Sequence, residues 1–225
     1  MKQRRPIVAI DGPSGAGKST VSKMLARRLG FLYLDTGAMY RCVGLLALRH
    51  AVDPLSPNDL APLLADLRIS FVPDAGGDQL TLCNGEDVTE LIRAHEVSQT
   101  ASKASSVGAV RTRLVAMQRE MGAAGGVVME GRDIGTNVFP DAEVKIFLVA
   151  SAEQRARRRW QELRARGESV EFEAVLADQR ERDQRDSERA LNPLVPAPDA
   201  HLVDTSDLTI EQVVDRLAEL VRNYA

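Results

Sequence analysis

The sequence predicts an α/β protein: a five-stranded parallel sheet with helices on both faces, and a small antiparallel patch inserted into it. Three observations carry this. Short apolar runs alternate with stretches of helical spacing along most of the 225 residues, the pattern of strand, helix, strand crossovers. The first of these runs feeds straight into a glycine-rich loop followed by a helix. A segment near residues 53–95 breaks the alternation with prolines and period-two runs.

Taken in order, Ile7 to Ile10 reads as a buried strand and Lys18 to about Leu29 as a helix, with Phe31-Leu32-Tyr33-Leu34 as a second strand. Two strands separated by a helix imply a right-handed parallel crossover. Asp35-Thr36-Gly37-Ala38-Met39-Tyr40-Arg41 opens a helix that continues through Val43, Leu45, Leu46 and Leu48. Its first turn is thereby expected at the carboxyl edge of the sheet, where folds of this kind bind ligands.

From about Asp53 to His95 the texture changes. Pro54, Pro57, Pro62 and Pro73 appear, and the alternating runs Leu67 to Val72 and Gln79 to Cys83 flank Asp74-Ala75-Gly76-Gly77-Asp78. This predicts a hairpin in an inserted subdomain. A helix-prone stretch spans Glu96 to about Met121, after which Gly126 to Glu130 and Val144 to Val149 are apolar enough for central strands. Ser151-Ala152-Glu153-Gln154 and Thr209-Ile210-Glu211-Gln212 have the form of helix capping boxes. Ala200 to Val203 is the expected fifth parallel strand and Ile210 to Val221 the closing helix.

Composition limits the function. An apolar content of 44% suits one buried core with one smaller insertion, and the net charge of -3 provides no global basic field for nucleic acid. Met1-Lys2-Gln3-Arg4-Arg5 leads into a strand rather than a long apolar region, and no run has membrane-spanning length, so a cytosolic setting is expected. Neither Cys42 nor Cys83 belongs to a close sequence pair that could hold zinc or clusters with His50, His95 or His201; both are read as reduced and structural, a disulfide between them being geometrically possible but disfavoured by a cytosolic setting.

The chemistry lies in three groups. Gly12-Pro13-Ser14-Gly15-Ala16-Gly17-Lys18-Ser19-Thr20 has the spacing and the strand, loop, helix context of a triphosphate cradle. Glycines let backbone N–H groups converge on phosphate oxygens, the helix adds its positive end, Lys18 supplies a mobile cation, and the Ser19 hydroxyl is placed to join a Mg²⁺ shell. Glu130 at a strand end could hold a water of that shell, and Gly131-Arg132-Asp133 follows it at the same sheet edge. Arg182, Arg185, Asp186 and Arg189 fall at steps of three and four on one expected helix face, while Arg155, Arg157, Arg158 and Arg159 form another basic run. A solvated face laced with salt bridges accounts for either run alone. Together with the cradle, the arginines point to a second phosphorylated ligand, for which no general-base histidine is needed because a phosphate monoester is already ionised.

Ile10 to Thr20, Asp35 to Arg41, Glu130-Gly131-Arg132-Asp133-Ile134-Gly135-Thr136 with Val138 to Ala142, and Glu181 through Asp186 to Arg189 closely resemble the bacterial cytidylate kinases over almost the whole chain. The resemblance implies the P-loop nucleoside monophosphate kinase fold as a single domain. Its core would be about 1–52, 96–150 and 190–225, with a monophosphate-binding insertion at about 53–95 and a mobile lid at about 151–170. It implies transfer of the γ-phosphoryl group of Mg-ATP to CMP or dCMP, in pyrimidine nucleotide metabolism, by a monomer that binds no nucleic acid and no membrane. Arg41, Arg132 and Arg189 would hold the CMP phosphate, with Thr36 and Tyr40 lining that pocket. Ser102, Arg111 and Asp133 would read cytosine, Arg182 would bind phosphates, Asp186 would contact the sugar, and Arg158 would reach ATP. The chain departs from the family pattern at Asn137 and at the linker Ala190-Leu191-Asn192-Pro193. The alternative reading, a nucleotide-binding switch or assembly factor without a phosphate acceptor, leaves the arginines around a second site unexplained.

Overall fold

In the computed structural model the described residues are 5–74, 78–165, 167–206 and 208–224. The chain divides into two compact units, Met1–Leu34 with Gly122–Ala225, and Asp35–Met121.

The first unit is built on five strands, β1 (Ile7–Asp11), β2 (Leu32–Asp35, whose last residue opens the second unit), β6 (Val127–Gly131), β7 (Val144–Val149) and β8 (His201–Asp204), in the order β2-β6-β1-β7-β8. The pairings of β1 with β6 and β7, and of β7 with β8, are parallel, as the expected parallel sheet requires. Every residue of β1 and β6 is buried, which is why these strands read as unbroken apolar runs. Helices α1 (Lys18–Leu29) and α8 (Ile210–Arg222) cover one face, where Val21, Leu25, Val213 and Leu217 meet Val8, Ile10, Val128 and Ile146. Register places Asp11 beside Gly131 and beside Phe147. The ends of β1 and β6 therefore release the cradle and the Gly131-Arg132-Asp133 loop side by side.

Both capping sites form: Thr209 caps α8 reciprocally with Gln212, and the Ser151 hydroxyl accepts from the Gln154 N–H at 3.2 Å to start α6 (Ala152–Ala165). Helix α7 (Phe172–Glu188) returns against α6 through Ala156, Leu163, Val175 and Leu176, with Trp160 and Phe172 in an edge-on contact. One expectation needs correction here. Arg189 does not lie on the face of α7 with Arg182, Arg185 and Asp186, because the helix ends at Glu188 and Arg189 is already extended, at φ -59° and ψ 136°.

The second unit contains α2 (Thr36–Arg49), α3 (Pro57–Ala65), the antiparallel strands β3 (Ile69–Pro73), β4 (Gln79–Cys83) and β5 (Glu86–Asp87), then α4 (His95–Ala104) and most of α5 (Gly108–Gly122). It reaches beyond 53–95 on both sides because Met39, Val43, Leu46, Val110 and Leu114 share one core with Leu60, Leu67, Ile69 and Cys83. Helix α3 replaces the purely antiparallel texture expected there. Ser56 caps it through the Asp59 N–H and Pro57 occupies a position where no N–H is needed, so Pro57, one of the prolines that broke the helical texture, in fact marks a helix start. The helix-prone stretch from Glu96 to about Met121 forms two helices, separated at 105–107. The expected hairpin is present as β3 and β4, but residues 75–77 of its turn, like residues 1–4 of the amino-terminal stretch, lie outside the described residues.

Candidate active site

The cradle is shaped by contacts only glycine can make. A Cβ on Gly12, at φ 148°, would stand 2.3 Å from the Leu148 carbonyl oxygen, so the chain can leave β1 this close to β7 only without a side chain. Gly17 caps α1 in the left-handed region, at φ 88°, and turns the loop into the helix. Lys18 is 6% exposed and its Nζ donates to the Pro13 carbonyl at 2.7 Å, across the loop. Burial first, and then the guanidiniums of Arg132 and Arg182, push its ammonium well below the usual range, against the pull of Glu130 and Asp11. This is a concentration of cations around a loop of convergent N–H groups, suited to an oxyanion ligand.

Ser14 and Gly15 are held from outside the loop. The Ser14 carbonyl accepts from Arg155 at 3.0 Å and from Gln179 at 3.2 Å, while Arg158 reaches the Thr205 carbonyl at 3.1 Å and the Gly15 carbonyl at 3.5 Å. Ala16 is buried, and its carbonyl accepts from the Thr205 hydroxyl at 3.3 Å; Ser19 and Thr20 are exposed. The Ser19 hydroxyl donates to Glu130 Oε2 at 3.1 Å, and Tyr33 donates to the other carboxylate oxygen. A hydroxyl beside a fixed carboxylate is a hard-oxygen donor set that fits Mg²⁺ shared with phosphates. No group of three or more His, Cys, Asp or Glu among the described residues could form an all-protein metal cage.

Beyond Glu130 lies the second set. Arg132 Nε donates to Asp186 at 2.8 Å, and Arg189 donates to Asp133 at 3.2 Å and to the Asn192 carbonyl at 2.5 Å. Asn137 donates to the other oxygen of Asp133 at 3.0 Å and so directly supports a candidate base contact. Burial works to raise the pKa of Asp186, but Arg132, Arg182 and Arg189 outweigh it and hold the carboxyl below its usual range. Arg132, Asp133, Arg182, Asp186 and Arg189 thus form one ionic cluster, with Arg182 linked electrostatically to both Lys18 and Asp186.

The remaining candidates belong to the second unit and form their own group. Thr36 is buried in the first turn of α2, whose start is capped by Asp35 through the Ala38 N–H at 3.0 Å. Arg41 donates to the same Asp35 carboxylate at 2.8 Å. Gly37 leaves room for this pair, since a Cβ there would come within 3.1 Å of both partners. Arg111, 3% exposed, stands over the Tyr40 ring at 5.9 Å and reaches the Ser105 carbonyl at 3.5 Å; the Ser105 hydroxyl in turn donates to the Ser102 carbonyl at 2.7 Å. Thr36, Tyr40, Arg41, Ser102 and Arg111 are thereby linked within one region of the unit.

Sequence reasoning missed Tyr33, Asp35, Gln179 and Asp183 as supports of the site. Tyr33 lay within an apolar strand and gave no signal, whereas the spacing of Asp35 before a helix start is a readable cap.

A glycine-lined cradle with a buried lysine, a strand-end acid beside its serine, and a cluster of arginines beyond it define a phosphoryl-transfer protein of the P-loop class. The profile of the cytidylate kinase family matches residues 8–223. The chain belongs to the cytidylate kinase family. It is 52% identical over 216 residues to the cytidylate kinase of Pelotomaculum thermopropionicum, covering 96% of each chain, and 55% identical over 217 residues to that of Mycolicibacterium paratuberculosis, covering 96% of this chain and 95% of that one. A solved structure of an uncharacterized protein from Eubacterium ventriosum shares the fold, with a TM-score of 0.51 and 13% identity over 97% of this chain and 99% of the other.

Proposed function

We propose that the protein transfers the γ-phosphoryl group of ATP to CMP or dCMP, giving ADP and CDP or dCDP. The observation that carries this is the sequence of contacts along the end of β6: Glu130 accepts from Ser19 of the cradle, and the loop that follows it carries Arg132 and Asp133, paired with Asp186 and Arg189, a second set of anion-binding groups. A switch protein needs the first and not the second.

In this reading the cradle N–H groups and Lys18 bind the outer phosphates of ATP, and Arg158 lies against the cradle where the nucleotide enters. Mg²⁺ enters with ATP, held by Ser19 and, through water, by Glu130, and it supplies neutralisation of phosphate charge. Arg41, Arg132 and Arg189 are assigned to the acceptor phosphate, and Thr36 and Tyr40 to its surroundings. Arg182 serves both phosphates and Asp186 the sugar. With both reactants fixed in line, transfer needs alignment and charge neutralisation rather than a base.

Base choice follows from hydrogen-bond polarity. Ser102 and Arg111 donate to the cytosine O2 and N3 edge, and Asp133 accepts from the exocyclic amine. Uracil would present a carbonyl to Asp133 and leave a buried group unpaired, at a cost of about 1–3 kcal/mol.

The insertion at 53–95 is assigned to monophosphate binding and the segment 151–170 to the lid that excludes water during transfer. The membership of the cytidylate kinase family is what supports a monomer. Two free, buried thiols, Cys42 and Cys83, fit the cytoplasm, and no helix among the described residues is long and apolar enough to cross a membrane.

The test is ADP release from Mg-ATP by purified protein with CMP, dCMP, UMP and AMP offered separately. Rapid release with CMP and dCMP and little with UMP, AMP or no acceptor is expected. Equal release without any acceptor would mean an ATPase and would return the switch reading.

A further inference from the structure

Asp11 is not among the residues assigned to either substrate, yet its side chain is 5% exposed at the junction of the two loops that carry them. Its backbone leads directly into Gly12 and the cradle. Its carboxylate turns the other way: Oδ1 accepts from the Ile134 N–H and Oδ2 from the Gly135 N–H, both at 2.8 Å. We propose that Asp11 is a positioning residue, which fixes the loop carrying Arg132 and Asp133 to the root of the phosphate cradle and so sets base selectivity through Asp133. The proposal rests on the reading of Asp133 as a cytosine contact.

The hydrogen bonds around Asp133 make the case. The peptide unit that follows it is bonded at both ends, because the Ile134 N–H is held by Asp11 while the Asp133 carbonyl accepts from Asn137 at 2.9 Å and Val138 at 3.2 Å. The next unit is bonded at both ends too, with the Gly135 N–H on Asp11 and the Ile134 carbonyl accepting from Phe139 at 2.7 Å. Two consecutive peptide planes are pinned, so the direction in which Asp133 leaves the backbone is set. Its carboxylate then has Arg189 on one oxygen and Asn137 on the other. Of the four groups that immobilise the two planes, three are backbone groups of the loop itself. Asp11 alone comes from the strand that ends in the cradle, so it is the tie between donor and acceptor loops.

The chemistry of this position is narrow. One carboxylate offers two acceptors to two donors. An amide offers one acceptor oxygen and an NH2 group, which would oppose one of the loop N–H groups and leave it buried without a partner. Lys18 and Asp133 act on Asp11 electrostatically, and the Lys145 stem lies against Gly135 beside it. The competing role is therefore a plain counter-charge for Lys18, and that role would be felt in ATP binding.

The experiment compares the parent with Asp11→Asn, Asp133→Ala and the double variant, measuring kcat and KM for CMP, UMP and ATP. Asp11→Asn is expected to reduce the CMP-over-UMP preference in kcat/KM about tenfold while KM for ATP stays within about threefold. The double variant should lose no more preference than Asp133→Ala alone, since one residue acts through the other. If Asp133→Ala keeps the parent's preference, the base-contact reading fails. If it loses that preference while Asp11→Asn keeps it, the positioning role fails. A raised KM for ATP with unchanged preference assigns Asp11 to Lys18 and overturns the proposal. Gly135→Ala keeps the test open should Asp11→Asn not fold. Its Cβ would come 3.2 Å from the Lys145 stem, tighter than ordinary contact, and 3.5 Å from Asp11 Oδ2, so either the loop shifts or the stem yields while the carboxylate is unaltered. Amide hydrogen exchange at Ile134 and Gly135 tells the two apart: faster exchange with a lost preference is expected, and faster exchange with an unaltered preference would overturn the role.

Discussion

Arg155 and Asp183 are joined by two hydrogen bonds, Nη1 to Oδ1 at 3.0 Å and Nη2 to Oδ2 at 2.6 Å, and the same guanidinium supports the Ser14 carbonyl of the cradle. The Arg155 side chain is 6% exposed and that of Asp183 26%, so the two partners do not suffer equally when parted. Asp183→Ala leaves a buried guanidinium without its counter-charge and should cost about 3 kcal/mol, near the lower end for broken buried pairs. Arg155→Ala leaves a carboxylate that water can reach and should cost less. Urea unfolding of both variants checks the order, and equal losses would show that Arg155 is not effectively buried.

Lys18→Ala tests the cradle. Lys18 is held close to Pro13, and burial together with Arg132 and Arg182 disfavours its charge until anions arrive. Its contribution is thus realised with phosphates bound. Turnover is expected to fall at least about a hundredfold, the scale of losing one preorganised charge-stabilising group, with CMP binding changed only modestly. Steady-state rates and a direct CMP titration separate the two, and a loss confined to CMP affinity would contradict the assignment.

These two cases show how much could be read beforehand. The cradle was legible because its chemistry is local: glycines, lysine and serine act at fixed spacing on one loop. The strands β1, β6 and β7 were legible because burial on both faces leaves an apolar run. Arg155 was not. Its basic neighbours made it look like part of a solvated surface, and only the return of α7, which brings Asp183 to it from 28 residues away, makes it a buried strut. Helix α3 was hidden for another reason: Pro57 and Pro62 read as breaks in the helical pattern, although the first is favourable at a helix start. The roles of Asp11 and Tyr33 depend on partners more than 90 residues away, for which no spacing rule exists.

Asp11 also predicts a pH dependence of stability. Burial raises its carboxyl from 3.8 to about 6, outweighing the Gly135 and Ile134 N–H groups and Lys18, while Asp133 adds to the rise. A folded-state pKa above the unfolded value gives a stabilising contribution that is full below pH 3.8 and lost as the pH rises through about 6. The parent should therefore lose about 2 kcal/mol relative to Asp11→Asn between roughly pH 4 and pH 7, because asparagine does not titrate. Taking the difference between the two proteins at each pH removes the other carboxylates. A flat difference would mean that Asp11 titrates alike in the folded and unfolded chain.

Gly44 sets two rules against each other. It sits inside α2, where replacing glycine by alanine ordinarily stabilises a helix by about 1 kcal/mol. A Cβ at Gly44, however, would stand 2.8 Å from the Ala101 nitrogen and 2.8 Å from the Val97 carbonyl oxygen, both in the backbone of α4. Backbone cannot turn aside as a side chain can, so α2 and α4 would have to separate in the middle of the core that holds Cys42, Val43, Leu46 and Val97. Overpacking of this kind costs about 1–3 kcal/mol, which equals or exceeds the propensity gain. Gly44→Ala is expected to lower the midpoint of thermal unfolding, while an alanine at Gly85, where a Cβ would meet nothing within 4 Å, suffers only the strain of its φ of 88°. A Gly44→Ala protein more stable than the parent would show that the two helices have room to move apart.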